Sequence, residues 1–107
     1  MKTRFLPQNH VHVQALQHMI GQSSQMHHSV TTQDVAIWLG CHKATAVKYL
    51  KKLCADKQLI MRESSWHRLA VVHTWELPHH IMGQYRRGEF VSAFKIFVQL
   101  NFKRLEF

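Results

Sequence analysis

Acidic side chains are scarce in this sequence: 6 Asp and Glu stand against 14 Lys and Arg. They are scattered and form no paired carboxylates of the kind general acid–base chemistry uses. Glycine is also thin, at 4 residues, and forms neither a phosphate-cradling loop nor a nucleophile elbow. The 2 cysteines, Cys41 and Cys54, match no common zinc framework and no secreted disulfide scaffold. No apolar run approaches the roughly 20 residues of a membrane span. The opening segment, Met1 to Pro7, lacks the apolar core of a signal peptide. These shortages point away from an enzyme and from a cofactor or metal protein. The expectation is a cytoplasmic protein with reduced thiols and no membrane partner.

What the chain does have is positive charge and histidine. The net charge is +8 with histidine neutral, and there are 10 histidines. Such an excess favours polyanion partners, because contacts to phosphate release condensed counterions. Histidines that protonate below about pH 6.5 would add to it. The length of 107 residues suits one compact domain with a modest core.

Periodicity organises the chain. After Pro7, Asn9 is a candidate cap, and Val13, Leu16 and Ile20 recur at helical spacing, widened by Val11, Ala15 and Met19. This predicts an amphipathic helix to about Gly21 and a polar loop from Gly21 to Ser29. Thr31 or Thr32 can cap a second helix, with Asp34 in its first turn and Val35, Ala36 and Leu39 facing inward. Gly40 follows, where a left-handed residue ends a helix. A third helix is expected from Lys43 to Lys57, with Ala46, Leu50 and Leu53 buried. Residues 59–62 read as a short strand, and 63–66 as a polar tip. Arg68 to Trp75 returns as a second strand, with Leu69, Val71, His73 and Trp75 alternating on one face. Pro78 breaks the pattern. Residues 79–88 read as a linker or short helix, and 89–107 as an amphipathic helix carrying Phe90, Phe94, Phe97 and Leu105, with a strand at 96–100 as the alternative. The expected architecture is mainly α with a small β-hairpin, divided into a domain over 1–78 and an extension over 79–107.

The order helix, helix, tight turn, helix, hairpin over Thr31 to Leu77 resembles the winged helix-turn-helix of transcriptional regulators. Ala36 matches the family's small residue in the first helix of the motif. Gly40 matches the glycine of the turn, and Ala46, Leu50 and Leu53 match the apolar positions of the recognition helix. Lys57 or Gln58 stands where many relatives carry glycine before the wing. The resemblance implies sequence-specific binding of double-stranded DNA, with the helix Lys43–Lys57 in the major groove and the hairpin at 59–75 on the backbone. His42, Lys43, Ala44 and Thr45, then Lys48 and Tyr49, would face base edges. Lys51, Lys52, Arg62 and Arg68 would contact phosphates. Trp66 and His67 at the wing either approach the DNA or fold back on the hairpin. Many regulators of this kind are homodimers joined through flanking helices, and the first and last helices here are placed for that.

Ile37 and Trp38 depart from the pattern, because the family's equivalent positions are usually polar. Apolar residues there need a cover, which Phe90, Phe94 and Phe97 could supply from the same chain or from a partner protein. Three alternatives remain open. One is a winged-helix module for protein interaction, and another is RNA binding. The third is a metal-responsive regulator using His10, His12, His27, His28, Cys41, His42, His79 or His80, although none of these forms a recognised ligand spacing.

Overall fold

The computed structural model describes residues 10–67 and 70–102, with side chains over 10–63 and 72–100. The elements run α1 (His10–Gln25), β1 (Val30–Thr31), α2 (Thr32–Leu39), α3 (Lys43–Ala55), β2 (Ile60–His67), β3 (Ala70–Glu76), α4 (His79–Arg86) and α5 (Val91–Phe102). The mainly helical class with a β-hairpin is as expected. β1 is a strand that the periodicity did not announce: two residues are too short to show alternation. It pairs Val30 with Trp75 and Thr31 with Thr74, so the antiparallel sheet has the order β1-β3-β2.

Local chemistry sets most boundaries. Thr31 caps α2 through a reciprocal pair: its hydroxyl accepts from the Asp34 amide at 3.2 Å, and its own amide donates to the Asp34 carboxylate at 3.0 Å. This capping box satisfies two helix-end donors at once. Gly40, at φ 65, ends α2 in the left-handed region that glycine adopts without a Cβ clash. The Cys41 amide then donates back to the Ala36 carbonyl at 3.1 Å, which turns the chain sharply into α3. α3 ends the same way without a glycine. Lys57 takes φ 61, and the Gln58 amide reaches the Leu53 carbonyl at 2.8 Å.

Two boundaries differ markedly from expectation. α1 runs past Gly21 to Gln25, because tertiary contact overrides the polar composition there. The Tyr85 ring lies so close that a Cβ on Gly21 would sit 2.6 Å from it, and the Tyr85 hydroxyl donates to Gln25 Oε1 at 2.9 Å. β2 extends to His67, so residues expected at the tip belong to the ladder, with a register shift between Ser64 and His67. Residues 91–102 are helix, as the main reading of 89–107 expects, and not the alternative strand at 96–100. Asn9, Leu69 and Leu105, named above, lie outside the described residues.

One core joins all layers. Leu16 and Ile20 of α1, Val35 of α2, Leu50 and Leu53 of α3, and Trp75 of β3 are fully or almost fully buried in it, as are Phe90 and Phe97. α5 lies along α1, and α4 also contacts α1. Burial of about 1.5–3 kcal/mol per large apolar side chain makes this shared core the main source of stability.

Candidate nucleic-acid interface

α2, the Gly40 turn and α3 place the outer face of α3 beside the wing formed by β2 and β3. His42 begins α3 in extended backbone conformation and makes no side-chain capping bond. Its side chain is exposed. Lys43, Ala44, Lys48, Lys51 and Lys52 are exposed, and Thr45 is half-buried. Among the described residues the ion pairs are Arg62–Glu76, His73–Glu63 and Arg87–Glu89. The four lysines of α3 join none of them, so this face keeps its full positive charge. A cleft of about 390 Å³ runs between the start of α2, the start of α3 and the wing, lined by Thr31, Thr32, Gln33, Lys43, Val72 and His73 among others.

Two sequence-derived site residues stand differently, and a third is not described. Tyr49 is 3% exposed. It lies on the inner side of α3, where burial pushes its phenol well above the usual tyrosine range, so it supports the helix from behind rather than facing bases. The spacing Ala46, Tyr49, Leu50, Leu53 already puts it on the apolar stripe, and that signal could have placed it. Arg62 is held by Glu76 at 2.7 Å, an exposed pair that sequence spacing does not reveal. Arg68 lies outside the described residues, as do the side chains of Trp66 and His67.

The aromatic tail covers a different surface from the one expected. Phe90 and Phe97 are buried in this chain's own core, and Phe94 is half-buried against His18 at 4.5 Å. These contacts run along α1, and Ile37 on α2 stays 66% exposed. Trp38 is half-buried and packs on the core from its edge.

Sequence reasoning missed Gln17. It is 1% exposed, and its amide donates to the Gln58 carbonyl at 3.1 Å and to Gln58 Oε1 at 3.2 Å. This ties α1 to the junction where α3 passes into the wing. A glutamine inside an otherwise apolar helical stripe was the available signal.

Helix, tight turn, helix and a two-stranded wing, all on one core, define a winged helix-turn-helix protein. No family model and no curated protein sequence matches the chain. Among solved structures, the chain is similar to Lactococcus lactis ZitR, described as a zinc-responsive MarR family member. That likeness has a TM-score of 0.51 at 16% identity and covers 90% of this chain and 68% of that one. A mutant of the same protein gives 0.53 at 16% identity, over 81% of this chain and 59% of that one. The adhesin competence repressor AdcR of Streptococcus pyogenes gives 0.47 at 21% identity, over 81% and 64%. The chain thus spans less than two thirds of two of these proteins. At 16% identity the two ZitR likenesses establish the winged-helix fold and nothing finer.

Proposed function

We propose that this protein binds double-stranded DNA sequence-specifically, as a small transcriptional regulator. α3 enters the major groove through His42, Lys43, Ala44, Thr45 and Lys48. Lys51, Lys52 and the wing, with Arg62 and Arg68, hold the backbone. The observation that carries the reading is the unpaired lysine face of α3, exposed beside the wing of a winged helix-turn-helix. Lysines without acidic partners are available to phosphates, and a helix end without a side-chain cap can approach base edges. The solved neighbours are regulators, not enzymes, which supports a binding protein. No helix of the described residues is long and apolar enough to cross a membrane, which is compatible with action in the cytoplasm.

The protein acts as a homodimer in this reading. α5 carries apolar residues outside its packed face as well: Phe97 faces α1, while Ile96 and Leu100 are exposed. Ile96 and Leu100 lie beside exposed Lys95 and Gln99, an apolar stripe with a polar border of the kind interfaces use, and a second copy would cover it. Ile37 then remains as a separate contact for a protein partner. Residues 79–107 form the extension through which the copies meet, and residues 1–78 form the reading domain. Metal responsiveness, described for one solved neighbour, is a second reading compatible with the fold. Among the described residues, no three His, Cys, Asp or Glu side chains converge on a site that could hold an ion.

Selection of bound sequences from random duplex DNA tests the proposal. The expected result is a palindromic motif with half-sites about one helical turn apart. No enrichment, together with no binding at low salt, overturns it and leaves the protein-interaction module.

A further inference from the structure

Two imidazoles of α1 meet two phenyl rings of α5. His18 stacks on Phe94 with ring centroids 4.5 Å apart and an interplanar angle of 28°. Tyr85 of α4 closes against the same imidazole at 5.4 Å and 58°. Six residues earlier, His12 meets Phe97 edge-on at 5.8 Å and 88°. His18 is 8% exposed, and its Nδ1 is buried without a hydrogen-bond partner. A neutral ring tolerates that position with Nδ1 as a bare acceptor. Protonation would put an N–H and a full charge on the same atom with no acceptor in reach.

Among the described residues, the surroundings of His18 offer no compensating charge. From α4, the Tyr85 phenol faces His18, but its hydroxyl donates to Gln25. His79, His80, Arg86 and Arg87 of that segment are exposed, and Arg87 is bound to Glu89. From α5 the only described ionisable group is Lys95, which is exposed and of the wrong sign. On β3, His73 and Glu76 are engaged with Glu63 and Arg62. β1 carries no ionisable group, and His10 of α1 is exposed. No described carboxylate is in ion-pair reach of His18. The face of Phe94 attracts a cation through its ring electrons, yet it supplies no acceptor for the new N–H.

We propose that the α1–α5 seam is an acid-sensitive latch, closed on neutral His18 and loosened when it protonates, so that the aromatic face of α5 comes free. Burial pushes the His18 imidazole below the ordinary histidine value, in agreement with the geometry. The folded chain then binds fewer protons at this site than the unfolded chain. Stability from the seam is full above about pH 6.5 and is lost as pH falls below it. The latch does not depend on the DNA-binding reading.

Amide hydrogen exchange on the full chain tests it, compared at about pH 7.5 and about pH 5.5 after correction for intrinsic exchange. Protection of α5 amides is expected to fall by up to roughly tenfold at the lower pH, the limit for one imidazole about one pH unit below its unfolded value of about 6.5, while α3 keeps its protection. In His18→Phe, which keeps an aromatic ring on Phe94 but cannot titrate, the fall in α5 should shrink at least severalfold. No fall in the parent chain, an equal fall in the variant, or a parallel fall in α3 overturns the latch. Should the variant not fold, NMR titration of His18 in the parent chain decides. An imidazole pKa below the ordinary histidine value supports the latch, and one at or above it overturns the proposal.

Discussion

The indole Nε1 of Trp75 donates to the hydroxyl of Thr32 across 3.0 Å, with both side chains buried. The bond joins the middle strand of the sheet to the first turn of α2, so it locks the wing to the helix-turn-helix. Thr32→Val keeps the shape and removes the acceptor, which leaves a buried N–H unpaired. The expected cost is about 1–3 kcal/mol, read as a lower urea midpoint with an unchanged denaturant slope. Trp75→Phe in the Thr32→Val background should lose less than the sum of the two single changes, which a double-mutant cycle would show.

The two sharp helix ends around α3 make opposite predictions. Gly40 sits at φ 65 with nothing within 4 Å of a built Cβ. Gly40→Ala therefore meets no steric contact, only the backbone penalty of about 1–2 kcal/mol for a left-handed L-residue. Lys57 already carries that penalty at φ 61. Lys57→Gly should raise the midpoint of thermal unfolding by a few degrees, corresponding to a gain of up to about 1 kcal/mol. A loss of stability in Lys57→Gly would mean that its side chain contributes more than its backbone conformation costs.

On the outer face of α3, alanine at Lys43, Lys48, Lys51 or Lys52 should weaken binding to duplex DNA without altering the fold. For a lysine on a phosphate, the slope of log affinity against log salt should drop by about 1, with little change in sequence preference. For Lys43 at the helix start, discrimination between sequences should fall as well, by about 1–3 kcal/mol where it contacts a base. Fluorescence anisotropy across a salt series separates the two classes.

Tyr49 sets an alkaline limit. Burial raises its phenol above the unfolded value of about 10. The neutral form belongs to the folded chain, so its stability is full below about pH 10 and is lost as pH rises beyond it. Absorbance of phenolate from Tyr49 should appear only with unfolding. Tyr49→Phe should flatten the loss of stability between about pH 10 and about pH 12.

Gly21 marks the seam between α1 and α4. The Tyr85 ring fills the space a Cβ would occupy, at 2.6–2.9 Å, and ring atoms next to the backbone cannot swing away freely. Gly21→Ala should destabilise the chain despite alanine's better helix propensity, by roughly 1–3 kcal/mol for overpacking. Calorimetry would show a lower midpoint, and the near-ultraviolet signal of Tyr85 should change with it.

Much of the fold is written in short-range signals. Thr31 with Asp34, Gly40 after Leu39, and the Ala46–Leu50–Leu53 stripe each act within a few residues, so the sequence alone determined the helix-turn-helix and its basic outer face. Tyr49 follows the same stripe and belonged to the core from the start. Where the order of elements failed as a guide, the deciding contacts lie far apart along the chain. β1 exists because Trp75 and Thr74 lie beside it. α1 continues through polar residues because α4 supports it, and Gln17 is satisfied only by Gln58, 41 residues away. The phenylalanines of the last helix show the division most clearly. Their pattern requires a cover but does not say which. Only the tertiary structure, by laying α5 along α1, gave Phe94 and Phe97 to His18 and His12 and left Ile37 exposed. Periodicity specifies that a face is apolar, whereas its partner depends on the distances and directions of chain segments that no local pattern encodes.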